Sequence, residues 1–257
     1  MLAMLRESRE DALRERRDLF MLAALAYTWT HLEAQPKPGH DITAILAWNV
    51  EDLENTPDFI IDRNRNFLQQ GELYHAEANV LRLAYRRLRR LVGPAREGWA
   101  DTGRFAPGMA RATVFTSLEP CPMCHASIHM AGVPRGYFCL EDPWLRDPQS
   151  HELRVKLPQE YYGKHLELIE SRLPACLEAR KLIWTLVDSG QTRLTKILAD
   201  RGEELFKPAY ERLTEAPVRV ENAMLRAQLL LAVGKPWQAL SRRQDERLVD
   251  MATALTR

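Results

Sequence analysis

Two short motifs constrain this chain more than anything else in it: His75-Ala76-Glu77 and Pro120-Cys121-Pro122-Met123-Cys124, each at the head of a helical stretch. His75 offers an imidazole nitrogen, and Cys121 and Cys124 offer thiolates. Three such ligands with a fourth position left for water make the donor set of a catalytic Zn²⁺ site. At a helix start, positions i and i+3 share a face, so both sulfurs reach one ion. The amides and partial positive charge of a helix N-terminus also favour thiolate over thiol. His75 begins a helix too, so two helix starts from neighbouring strands point at the same place.

Glu77 stands two residues from the ligand histidine. That spacing lets its carboxylate hydrogen-bond a metal-bound water rather than the metal. Zinc lowers the pKa of its water to roughly 7. A carboxylate beside it takes that proton, passes it to a ring nitrogen and then protonates a departing amine. Each motif alone has a duller reading. His-x-Glu arises easily in a charged chain with seven histidines. Cys-x-x-Cys also fits half of a structural zinc knuckle or a redox pair. A knuckle wants two further ligands nearby, yet Cys139 and Cys176 are isolated and His125 and His129 lie on the helix that carries the pair. A redox pair leaves His-Ala-Glu unexplained.

The pattern around the motifs predicts an α/β layer with a mostly parallel or mixed sheet. Residues 2 to about 34 read as a helix, closed by Pro36-Lys37-Pro38-Gly39. Ile42–Trp48, Ala112–Leu118 and Gly136–Leu140 read as strands; His75–Leu91 and about Pro120–Ala131 read as helices. Asn49 to about Glu72 is polar and irregular, with Phe59–Gly71 as a candidate lid or pocket rim, and Gly93–Met109 reads as a loop. Beyond Trp144 the signals are helical: Leu173–Leu186, Thr192–Arg212 (two helices, given Gly202 and Pro208), Asn222–Val233 and Trp237–Thr256. These divide the chain into an N-terminal helix at 1–35, a core at 36–145 and a mainly helical region at 146–257. The alternation Pro217–Glu221 is a candidate late core strand; otherwise that strand is Leu182–Val187 or missing.

Composition supplies exclusions rather than identity. Thirty-six basic and 35 acidic residues leave a formal charge of +1, which gives no whole-protein field drawing in nucleic acid or an anionic membrane. Four cysteines are too few for a disulfide framework, which fits a reducing compartment. Charged residues interrupt the N-terminal apolar run, so neither a signal peptide nor a membrane span is expected, and the cytoplasm is the expected location.

At the two motifs the chain resembles the cytidine deaminase-like superfamily, in particular the branch holding tRNA adenosine, guanine, cytosine and dCMP deaminases. Thr116–Ala126, read as TSLEPCPMCHA, is similar to that branch's strand-to-helix segment, and Ser127-Ile128 through Gly136-Tyr137-Phe138 continues the likeness. It covers residues 40–145. The resemblance implies a three-layer α/β/α core with a mixed sheet, carrying helical N- and C-terminal additions. It implies His75, Cys121 and Cys124 as Zn²⁺ ligands and Glu77 as proton shuttle. Asn49, through Trp48-Asn49, and the backbone amide of Ala76 are the implied substrate contacts. Asn49 equally suits a strand-ending turn. A homodimer or higher homo-oligomer is also implied.

The expected activity is hydrolytic removal of an exocyclic amine from a nucleobase, as a free base, nucleoside or nucleotide. One alternative is an adenosine or cytosine deaminase acting on tRNA or single-stranded nucleic acid, its base flipped into the same pocket. Another is a non-catalytic binding module on the same fold, against which an intact Glu77 argues. The run Arg82, Arg86, Arg87, Arg89 and Arg90 reads as a solvated helix face or as phosphate contacts. Trp144 reads as a base-stacking or core-capping residue, and Trp29 and Trp184 as packing residues. His125 serves as a positioning group, or one of His125 and His129 faces solvent.

Overall fold

The computed structural model describes residues 2–34, 36–92, 107–145, 166–191 and 193–235. Five strands, β1 (Thr43–Trp48), β2 (Asp58–Arg63), β3 (Ala112–Leu118), β4 (Arg135–Leu140) and β5 (Glu167–Glu170), form one sheet in the order β2-β1-β3-β4-β5. β1 is antiparallel to both β2 and β3, while β3, β4 and β5 run parallel. The sheet is mixed, as expected. Every residue of the central strands β1 and β3 is buried, which is why they read as near-continuous apolar runs.

Two strands lie outside the expectation. β2 occupies part of the stretch read as irregular, because its apolar centre is only Phe59-Ile60-Ile61 between Asp58 and the buried pair Asp62 and Arg63. Phe59–Arg63 therefore belongs to the sheet and not to a lid. β5 is a four-residue edge strand with Glu167 and Glu170 exposed, too short and polar to announce itself. It is the last strand of the described sheet. Neither proposed late strand exists: Leu182–Val187 lies within helix α4 (Pro174–Asp188), and Val220 opens helix α7 (Val220–Val233).

Helices α2 (Ala76–Val92) and α3 (Pro122–Met130) cover one face of the sheet. Helix α1 (Leu2–Thr30) lies on the other, and α6 (Gly202–Glu215) and α7 pack over it. From Leu19 to Tyr27 every α1 side chain is buried, the mark of a helix with partners all round. Phe20 stacks on Phe115 of β3 at 4.9 Å between ring centroids, and Phe115 on Tyr137 of β4 at 5.3 Å. Each such side chain contributes about 1.5–3 kcal/mol on leaving water. The stretch expected to split does so at Arg201, between α5 (Leu194–Asp200) and α6, and Pro208 lies inside α6. Gly202 allows the close approach there: a Cβ would stand 2.7 Å from Leu32 Cδ1.

One buried arginine ties three of these elements together. Arg16 of α1 donates from Nε to Asn222 Oδ1 of α7 at 2.9 Å, and to the carbonyls of Asp52, Asn55 and Glu221. Asn222 in turn donates to the carbonyl of Ala12 at 2.9 Å. No described helix is long and apolar enough to cross a membrane.

Candidate metal centre

The two helices that carry the motifs start at the same end of the sheet. β3 runs toward that end, so Cys121 follows it directly and caps α3, its carbonyl accepting from the His125 N–H at 2.9 Å. Pro122 occupies the first helical position, where its missing N–H costs nothing and its fixed φ suits the turn. His75 stands in the same relation to α2: its carbonyl accepts from the Asn79 N–H at 2.9 Å. The amides of both first turns have no intrahelical acceptor, and both positive helix ends face the donor cluster.

His75 Nδ1, Cys121 Sγ and Cys124 Sγ all lie within 4.8 Å of one another, and each sulfur is 3.5 Å from Nδ1. Tetrahedral zinc with Zn–S near 2.3 Å and Zn–N near 2.05 Å requires N···S edges of about 3.6 Å. The donor set fits the metal in chemistry and in spacing. A hydrogen bond from Cys124 holds the Cys121 thiol down to about 4, while Cys124 is pushed well up by giving that hydrogen bond and by burial. The His75 imidazole is raised by its hydrogen bond to Cys121.

Glu77, in the first turn of α2, is 3% exposed. Its Oε2 accepts from Cys124 Sγ at 3.4 Å, and its Oε1 lies 3.4 Å from the Thr116 hydroxyl of β3. Burial pushes its carboxyl up from the ordinary value. The expected metal donors and the expected shuttle are thus brought together, and Ala76, fully buried, is the first helical residue beside them.

Asn49 is not brought to the cluster. It ends β1 at the opposite end of the sheet, beyond the Trp48–Ala112 pair, whereas the site lies beyond the Ala44–Thr116 pair. Its N–H donates to the Arg111 carbonyl at 3.1 Å, its own carbonyl accepts from Asp52, and its φ is 56°. This is the strand-ending turn. Asn49 there lines a cleft of about 760 Å³ together with Arg111, Arg135 and Glu167.

The asparagine at the metal end is Asn64. It follows β2, whose C-terminal Arg63 pairs with Thr43 at the site end of β1. Asn64 is 1% exposed, and neither Oδ1 nor Nδ2 has a hydrogen-bond partner. Leaving such groups unmet costs about 1–3 kcal/mol each. Its surroundings are fixed by charge. Arg63 donates to the His31 carbonyl at 2.8 Å and to Asp41 at 3.2 Å, and Lys37 pairs with Asp41 at 2.7 Å. Recognising Ile60-Ile61 as a strand would have exposed Asn64 in sequence.

The remaining expectations divide. Arg87 turns inward, paired with Asp58 and 5.3 Å over the Trp48 ring. Arg82 stacks on Tyr74 at 4.3 Å and donates to Asn79 Oδ1 at 2.7 Å, and Arg86 is exposed. The arginine run is therefore not one solvated face, and the side chains of Arg89 and Arg90 lie outside the described ones, as does that of Trp144. His125 and His129 are both buried, so neither faces solvent. Trp29 packs on the core, and Trp184 donates to Glu141 at 2.9 Å. Most of the loop read at Gly93–Met109 and the helix read at Trp237–Thr256 lie outside the described residues.

Residues 20–140 match the family model described as the cytidine and deoxycytidylate deaminase zinc-binding region. No curated protein matches the chain in sequence. Among solved structures, one from work on A-to-I editing by tRNA:A34 deaminases at the wobble position of transfer RNA is 23% identical. The alignment covers 59% of this chain and 96% of that chain, with a TM-score of 0.40. The guanine deaminase from Nitrosomonas europaea is 16% identical over 65% of this chain and 82% of its own, with a TM-score of 0.39. The stretch similar to that zinc-binding region, residues 20–140, is the one that holds the three donors and their helix starts.

Proposed function

We propose that this chain is a zinc-dependent hydrolytic deaminase that replaces an exocyclic amine of a nucleobase with oxygen and releases ammonia. The observation that carries the reading is a carboxylate, Glu77, buried against three clustered metal donors. His75 Nδ1 and the sulfurs of Cys121 and Cys124 hold zinc, whose chemistry is to bring the pKa of a water to roughly 7. Glu77 carries one proton from water to a ring nitrogen. It then carries the hydroxyl proton of the attacked carbon to the leaving amine, so amine plus water becomes carbonyl plus ammonia. The free amide of Asn64 orients the base or its ribose, and the Ala76 N–H is the second donor to substrate.

A small-molecule base, nucleoside or nucleotide is the favoured substrate. The formal charge is +1, and the arginine run divides between buried and exposed partners instead of forming one phosphate-binding face. The test is metal analysis combined with ammonia release from a panel of bases, nucleosides, nucleotides, tRNA and single-stranded DNA. Wild-type protein should release ammonia from a small molecule, and Glu77→Gln should lose about 10²–10⁴-fold of that rate with zinc retained. Zinc without ammonia from any substrate sinks the enzyme reading in favour of a binding module. Ammonia from tRNA or single-stranded DNA alone transfers the reading to a nucleic-acid deaminase.

A further inference from the structure

The two oxygens of the Glu77 carboxyl have different neighbours. Oε2 lies toward the donor cluster, 3.4 Å from Cys124 Sγ, and Oε1 lies toward the sheet, 3.4 Å from the Thr116 hydroxyl. Among the described residues no other side chain hydrogen-bonds this carboxyl. As a metal ligand Cys124 is a thiolate with no proton to give, so Thr116 is the side-chain donor that stays with the carboxylate. The last torsion of a glutamate is broad and roughly two-fold. A group that collects a proton at one place and delivers it at another works only while one of its oxygens is held in line with both.

Thr116 has the setting of a rigid anchor. It lies on the central strand β3, paired with Ala44 of β1 on one side and Phe138 of β4 on the other. Its side chain faces α2 and α3, because Val114 and Ala112, at two-residue steps before it, belong to the core beneath those helices. Branching at Cβ leaves its first torsion few choices. The Leu118 carbonyl, 2.9 Å from Oγ1, holds the hydroxyl at the end of the strand. That hydroxyl has one proton and two acceptors in reach, and it rotates to suit them. Of the two, a carboxylate makes the stronger bond. Thr116 is 0% exposed and Glu77 3%, which leaves little room for water to stand in for the contact.

We propose that Thr116 is a positioning residue: its hydroxyl pins Glu77 Oε1 to β3 and so keeps Oε2 turned toward the metal donors. The inference rests on Glu77 being the proton shuttle of the deaminase reading. The test uses the full-length, zinc-loaded protein. Thr116→Val keeps the shape of the side chain and removes the hydroxyl. It should lower kcat by about 10–100-fold, with KM and zinc content unchanged, and Thr116→Ser should restore the rate. Thr116→Ala serves as a second hydroxyl-free variant, and circular dichroism checks that each one folds. A readout independent of turnover is the infrared band of the Glu77 carboxyl, isolated as the difference between a protein and its Glu77→Gln counterpart. That band should move in Thr116→Val and return in Thr116→Ser. An unmoved band, a kcat equal to wild type, or a loss that Thr116→Ser fails to restore would overturn the inference. A band that moves in a protein releasing no ammonia would uphold the contact and remove the deaminase reading instead.

Discussion

Burial pushes the Asp18 carboxyl on α1 up to about 6, with Arg17 and Arg14 only partly offsetting the desolvation. The folded protein therefore holds a proton there that the unfolded chain has released, so this group's contribution is full below about pH 4 and is lost as pH rises through about 6. Asp18→Asn should raise Tm by about 2–4 °C at pH 7.5, solvent screening having reduced the effect to some 1 kcal/mol. Thermal unfolding at pH 4 should show no difference. At the site, Asn64→Ala should lower kcat/KM by about 10–100-fold, the worth of one or two hydrogen bonds to substrate. Asn49→Ala should leave steady-state kinetics unchanged. The contrast explains what could be read from single residues. His75, Cys121 and Cys124 were legible because ligand spacing is local and a helix start turns that spacing into a position. An asparagine after a strand looks the same at either end of a sheet, and only the antiparallel register separates Asn49 from Asn64.

Elements were legible where burial on both faces wrote an apolar run, as in β1 and β3, and illegible at the edges of the sheet. β2 carries Asp62 and Arg63 into the interior; Arg65, close by in the chain, meets Asp62, but Arg63 is met by Asp41, 22 residues away, which no short window pairs with it. β5 presents glutamates to solvent at both ends. The link between α1, the β1–β2 turn and α7 was equally hidden, since Arg16 and Asn222 lie far apart in the chain and meet only in the fold. Arg16→Met should strand Asn222 Oδ1 and the carbonyls Arg16 serves, each at about 1–3 kcal/mol when left unmet. Urea unfolding should therefore give a lower midpoint with an unchanged slope. An equal midpoint would show that water replaces the guanidinium.

For the molecule as a whole, the donor cluster joins the starts of two helices that pack on each other and on the sheet beneath them. Zinc held there should contribute about 4 kcal/mol when present at a thousandfold excess over its Kd, equivalent to about 8–16 °C in Tm for a chain of this size. Chelation, or Cys121→Ser, should lower Tm by that order in a thermal scan, and an unmoved Tm would mean the donors bind no metal in the folded state. The all-round burial of α1 has a consequence in time rather than in space. Its inner partners β1 and β3 are made well before α6 and α7, which cover its outer side and end only at Glu215 and Val233. At 5–20 residues a second, a ribosome needs roughly 10–40 s to deliver them. Throughout that interval Leu19 to Tyr27 present an apolar surface with half its cover missing, so chains stopped at Asp188 should aggregate or bind chaperones, and those reaching Val233 should not. The helix made first waits longest to be finished.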